Sequence, residues 1–216
     1  MPDAVVAFLA VFVGLFPIVN PLGMAPIFLR LTSGSTQGIR AELAQRIAIG
    51  SFFLMTISLF VGLHILALFG LTITAVQIGG GLVVMAAGWR LLQQGGDSNV
   101  DRATVPVTEE GIISRAFFPL TMPLTVGPGA ISVAITLGTR AAHVDHIAVV
   151  ATGALVAVFA VSLLVYASYR FAAYVLRYLG ETGTDVLMRL SAFILLCLGV
   201  QILTNGISDL PIFATN

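Results

Sequence analysis

Two apolar runs interrupted by prolines constrain this chain more than any other feature of its sequence. Ala4 to Leu29 is long enough to cross a bilayer, yet it contains Phe16-Pro-Ile-Val-Asn-Pro-Leu-Gly-Met-Ala-Pro26. Half a chain later comes Pro119-Leu-Thr-Met-Pro123-Leu-Thr-Val-Gly-Pro128-Gly129, and the two stretches hold six of the nine prolines. Each proline removes a backbone donor and clashes with the preceding turn. In hydrocarbon the freed carbonyls need partners, so irregular backbone survives only where protein buries it or where it lines a cavity. Interrupted helices at corresponding positions of two halves point to a transporter's binding site.

The solvent for these runs follows from composition. The chain is 58% hydrophobic and 9% charged, against about 25% charged for a soluble domain. It is therefore read as an integral membrane protein with no room for a soluble domain. Its net charge of zero argues against a basic nucleic-acid-binding surface. Cys197 is the single cysteine, which excludes an intrachain disulfide and a cysteine-rich metal site. Met-Pro-Asp at the N-terminus lacks the positive flank of a signal peptide, so the first run is expected to stay in the mature protein.

The expected fold is an all-α polytopic membrane protein with spans at roughly 4–29, 46–69, 72–92, 116–138, 146–169 and 185–207, each near the ~20 apolar residues a bilayer requires. The first and fourth are expected to be interrupted near mid-membrane. The fifth is expected to continue as a helix through Tyr178, with Arg170 and Arg177 facing headgroups and the nearby aromatic rings at the interface. The domain reading is a three-helix repeat over 1–96, a cytoplasmic linker over 97–113 and a second three-helix repeat over 114–216, all within one transmembrane domain. Phe69-Gly70 with Gly88-Trp89-Arg90-Leu91 is echoed by Leu179-Gly180 with Gly199-Val200-Gln201-Ile202. Asn20-Pro21-Leu22-Gly23 can be laid on Gly127-Pro128-Gly129-Ala130, while the proline spacing 17, 21, 26 against 119, 123, 128 gives a second register. Three spans per half make related halves an inverted-topology repeat. All ten cationic residues are arginine, and nine of them fall on one side against Arg140 on the other. The positive-inside rule then puts the linker in the cytoplasm and both termini outside.

Asn20 is a good N-cap and Pro21 a good first helical residue, so a half-helix would start there with its positive dipole end facing inward. Gly127-Pro128-Gly129 offers the same from the other half, with glycines admitting a ligand close to the backbone. By that reasoning Gly129→Ala adds a methyl that an ordinary helix would accept and a bound substrate would not. At ~1.5 Å per residue, Asn20 lies ~24 Å from Ala4 and Gly127 ~17 Å from Ala116, so both breaks fall in the middle third of the membrane. The substrate-binding candidates are Asn20, Pro21, Gly23, Thr125, Gly127, Pro128 and Gly129, and their chemistry suits a small carboxylate with an amine. The plainer alternative is that the prolines only kink two helices for packing. His64, near the outer end of the second span, is the candidate for proton coupling. Gln77, Gln201 and Asn205 either line the cavity or bridge helices, and Gly79-Gly80-Gly81 suits close helix packing. Arg46 and Arg189 are read as snorkelling at cytoplasmic ends.

Pro-Ile-Val-Asn-Pro-Leu-Gly-x-x-Pro-Ile-Phe-Leu at 17–29 and Pro-Leu-Thr-Val-Gly-Pro-Gly-Ala-Ile at 123–131 resemble the two signature stretches of the MarC family. The resemblance covers essentially the whole chain. It implies a prokaryotic inner-membrane protein related to SnatA-type transporters of small neutral amino acids, with glycine or alanine as substrate and the two breaks at the substrate site. It does not imply drug export, although the family name derives from an antibiotic-resistance locus.

The leading reading is thus a secondary transporter working by alternating access. The alternatives are an exporter of other small or amphipathic molecules, and a channel or structural membrane subunit. An intramembrane enzyme finds no support: H-E-x-x-H, G-x-S-x-G, a membrane aspartate pair and a P-loop are all absent. Neither a metal nor an organic cofactor is expected. The expected partners are the amino acid substrate, H⁺ or Na⁺ as coupling ion, the bilayer and, in a homo-oligomer, further copies of the chain.

Overall fold

The computed structural model describes residues 3–32, 34–93, 116–141 and 146–210. The expected linker at 97–113 and both chain ends lie outside the described residues. Within them every regular element is helical. The first apolar run is divided into α1 (Asp3–Val19) and α2 (Pro21–Leu31). Asn20 between them has φ 48° and ψ 55°, a left-handed conformation that asparagine tolerates better than most residues. The second span is α3 (Gln37–Phe60) followed by α4 (Gly62–Leu68), and the third is α5 (Ile73–Gln93). Thr36 caps α3, its Oγ1 accepting from Ile39 N at 3.4 Å.

The second half begins irregularly. Ala116–Thr125 is a wide-turn segment in which Phe118 and Met122 adopt extended backbone angles. It leads into α6 (Pro128–Ala141) through a 68° bend. Then come α7 (Ile147–Arg170) and α8 (Ala172–Ser208). Five helices are long and apolar enough to cross a membrane, and the bent pair makes a sixth if counted as one span. The stretch expected to extend the fifth span is helical, as read, but a turn at Phe171 separates it from that span. α7 ends at Arg170, the chain turns at Phe171, and residues 172–179 open α8 before a break at Gly180 (φ 68°).

Packing runs between the halves far more than within them. α5 with α8 is the most extensive pair, followed by α1 with α7 and α3 with α7. α3 also packs on α6 and on the segment before it, while α5 meets α6 and α2 meets α8. The α5–α8 seam is built on glycine. A Cβ at Gly81 would lie 2.6 Å from Leu203 N and 2.9 Å from Gly199 O, and one at Gly88 would lie 2.8 Å from Leu196 Cα. The backbones therefore touch, the usual mode of association between helices in lipid. Of the Gly79-Gly80-Gly81 triplet, Gly81 faces α8, Gly80 faces Ser132 of α6, and Gly79 meets nothing.

The buried centre includes Leu15, Phe28, Leu43, Ile47, Met55, Val161, Val165 and Tyr169. Phe53, Phe159, Leu163 and Phe193 are exposed apolar residues on the outside, as a lipid solvent permits. α6 is held close at its C-terminal half, where Gly138 abuts the Leu59 carbonyl, Gly62 abuts Ile135 and Gly14 abuts Leu137. Ser132 Oγ adds a bond to Val76 O at 2.8 Å.

The seam makes a direct prediction. Gly81→Ala places a methyl on backbone atoms that cannot rotate away, so it should lower stability by about 1–3 kcal/mol. Gly79→Ala, with open space around it, should leave the melting temperature unchanged. Thermal unfolding of both in detergent checks this, and equal melting temperatures would contradict the backbone-contact seam.

Candidate functional site

The two breaks share one cavity of about 700 Å³. Asn20 lines it from the first half, and Pro123, Thr125, Gly127, Pro128 and Gly129 from the second. From there its wall follows Met24, Ile27 and Leu31, spaced along one face of α2, and Val83, Val84, Ala87 and Arg90 of α5. Leu31 and Arg90 are exposed, so the cavity runs from the breaks to the end of the bundle where α2 and α5 finish.

The breaks differ in how their backbone is satisfied. At the first, Asn20 Oδ1 accepts from Gly23 N at 3.1 Å and Asn20 O accepts from Met24 N at 3.0 Å. That bond fixes the orientation of the amide, because only the oxygen can face an N–H. The other amide atom, Nδ2, is buried with no hydrogen-bond partner, and an unpaired buried donor costs ~1–3 kcal/mol. At the second break the first bond of α6 is Ile131 N to Gly127 O at 3.2 Å. Among the described residues no acceptor meets the N–H groups of Gly129 and Ala130, both of which line the cavity. An uncapped helix start of this kind carries a positive partial charge suited to an anion. Arg90 is the one charged residue among those lining the cavity.

Other expected site residues take different roles. Pro21 and Gly23 do not line the cavity. A Cβ on Gly23 would lie 2.6 Å from Asn20 Oδ1 and 2.7 Å from Ser191 Cβ. Gly23 therefore makes room for the cap above it and for α8 beside it. Thr125 Oγ1 donates to Leu120 O at 2.7 Å and lies 2.9 Å from the Tyr169 hydroxyl, which must then donate to it. The single hydroxyl hydrogen of Thr125 is thus committed to the protein. His64 is exposed on α4 and does not line the cavity. Gln201 Nε2 donates to Asn205 Oδ1 at 2.9 Å along α8, and Gln77 is buried beside Gly206, so none of these three reaches the cavity.

Gly129 needs the clearest revision. Its missing Cβ would fall on the Val84 side chain, with Gly80 O 3.4 Å away. The space that this glycine clears is therefore occupied by α5, and an added methyl meets valine before it meets any ligand.

Two residues have roles that the sequence pattern does not announce. Tyr169 reads as one of the interfacial rings, but it is buried, stacked on Phe28 at 4.6 Å and bonded to Thr125. In the sequence Arg90 reads as a marker of orientation and as part of the repeat echo, not as a site residue. Its place in the last turn of α5, one turn after Ala86 and Ala87, is the signal that a small-residue face ends in a cation.

Val84 is β-branched, and its χ1 is stiff in a helix. Gly129→Ala alone should therefore lower the melting temperature, and adding Val84→Ala should recover most of the loss. Such coupling is expected of touching residues. A Gly129→Ala variant as stable as wild type would show that the α5–α6 contact is not there.

The profile described as "MarC family integral membrane protein" matches residues 5–210. The "UPF0056 membrane protein YhcE" of Escherichia coli K12 is 31% identical over 201 residues, covering 92% of this chain and 91% of that protein. The "UPF0056 inner membrane protein MarC" of Citrobacter koseri is 31% identical over 202 residues, covering 91% of each. No solved structure matches. A match over nearly the whole length, together with relatives spanning the same extent, places the chain in the MarC family of integral membrane proteins.

Proposed function

We propose that this chain is a secondary transporter of small neutral amino acids, of the glycine and alanine class, in the prokaryotic inner membrane. The relatives named as inner-membrane proteins support the location. The observation that carries the reading is a single cavity bordered by Asn20, by the free N–H groups at the start of α6 and, at its open end, by Arg90. All favour a carboxylate. Hydrogen bonds to a charged acceptor are worth about 1.5–3 kcal/mol each, so two or three offset the several kcal/mol needed to desolvate one ion. Binding stays weak enough for release. Gly127 and Ala130 at the second break let a small carboxylate approach the backbone closely.

Alternating access follows from the same parts. The cavity reaches one end of the bundle beside Arg90, while α6 is packed against α1, α3 and α4 towards the other end. By arginine counting the open end is cytoplasmic. An inverted repeat is supported by the contacts: the first span meets the fifth as the fourth meets the second, and the first meets the sixth as the fourth meets the third. Gly70 (φ 66°) and Gly180 (φ 68°) turn the chain alike before the last span of each half. Pro21 and Pro128 each open a half-helix, which favours the register laying Asn20 on Gly127. A rocking of one half against the other would close the cavity at one end and open it at the other.

The test separates a cap from a ligand. Asn20→Asp keeps an oxygen to accept from Gly23 N and tolerates the left-handed backbone. It replaces the donor Nδ2 with negative charge. In liposomes the wild type should take up labelled glycine and alanine saturably, and leucine or phenylalanine poorly, with H⁺ and Na⁺ gradients imposed in turn to read the coupling ion. Asn20→Asp should fold normally and lose roughly tenfold or more in apparent affinity, the loss of one charge-assisted bond. Unchanged affinity in Asn20→Asp would reduce Asn20 to a cap. Non-saturating flux indifferent to the side chain would replace the transporter reading with a channel.

A further inference from the structure

A second cleft, of about 400 Å³, lies at the end of the bundle where α3 begins and α7 ends. Three arginines line it, Arg40 of α3, Arg170 of α7 and Arg177 of α8, and no acidic residue does. Among the described residues none of the three pairs with a carboxylate. Arg40 Nε donates to Thr32 O at 3.1 Å, the Arg170 guanidinium carbon sits 5.8 Å from the centroid of the Phe171 ring, and that of Arg177 sits 5.9 Å from the Tyr174 ring. These contacts orient the guanidinium groups without neutralising them. Three like charges around one cleft repel unless an anion joins them.

The setting says which kind of anion. Guanidinium forks match the geometry of phosphate oxygens. Phe171, Tyr174 and Tyr178 are exposed beside the cleft, the arrangement of aromatic residues at headgroup depth. Basic clefts between membrane helices at such depth take acidic headgroups. The cleft's floor is Tyr169, whose hydroxyl bonds Thr125 at the edge of the larger cavity.

We infer that this cleft is a phosphate-binding site, with Arg40, Arg170 and Arg177 holding the oxygens of an acidic phospholipid headgroup or of free phosphate. The site is distinct from the substrate cavity and does not depend on what that cavity carries.

The experiment uses purified full-length protein in phosphatidylcholine nanodiscs. In one arm phosphatidylglycerol is titrated in and retained lipid is read by native mass spectrometry. In the other, inorganic phosphate is added without acidic lipid and the melting temperature is followed. Wild type should respond in at least one arm, by retaining phosphatidylglycerol in the first or by a raised melting temperature in the second, and the responding arm identifies the source. Arg170→Gln/Arg177→Gln should weaken that response roughly tenfold or more, as loss of two interfacial cations implies. Arg177→Gln alone, an exposed position whose loss spares the core, should weaken it in part and guards against misfolding of the double variant. Arg189→Gln, outside the cleft, should bind like wild type. No response in either arm, an equal response from wild type and Arg177→Gln, or an equal loss from Arg189→Gln would overturn the site.

Discussion

Everything in this structure depends on satisfying backbone polar groups in a medium without water. Pro17, Pro21, Pro26, Pro119, Pro123 and Pro128 interrupt the ladders that would do so. The repairs are local side-chain bonds. Asn20 turns the chain through a left-handed conformation and covers Gly23 N. Thr121 Oγ1 and Thr125 Oγ1 each reach back five residues, to Ala116 O and Leu120 O at 2.7 Å. Val126 N closes the segment on Thr121 O at 2.8 Å. Among the backbone donors freed by the breaks, the N–H groups at the start of α6 remain unpaired, on residues that line the cavity.

Close backbone contact is the second requirement, because lipid supplies no hydrophobic force to push helices together. Glycine at 81, 88 and 199 lets α5 and α8 touch. Gly129 does the same for α6 against α5, and Gly138 for α6 against α3. These contacts join helices from opposite halves, so the halves interlock, and the two breaks meet in one cavity as a consequence.

The parts of this architecture that rest on local chemistry were legible in the sequence. Span positions follow from apolar length, and the sites where helices stop and start follow from proline and from asparagine's capping ability. Gly70 and Gly180 belong to stretches that echo each other in the sequence, and both take positive φ. Partner choice was not legible, because it depends on which face of one helix meets which face of another. Tyr169 sits next to Arg170 and near three other aromatic residues and so reads as interfacial, yet a half-turn of α7 directs it inward onto Phe28. Gly129 reads as room for a ligand until Val84 is placed against it. Arg90 reads as a topological marker until α5 is set beside α2.

The central claim is that the breaks themselves hold the substrate. Leu124 lines the cavity between Pro123 and Thr125 and is partly exposed. In a Cys197→Ser background, Leu124→Cys can be labelled with a small methanethiosulfonate reagent in purified protein. Glycine and alanine should slow that labelling in a saturable way, while leucine and phenylalanine should not. Labelling that proceeds at one rate regardless of the amino acid present would contradict the account.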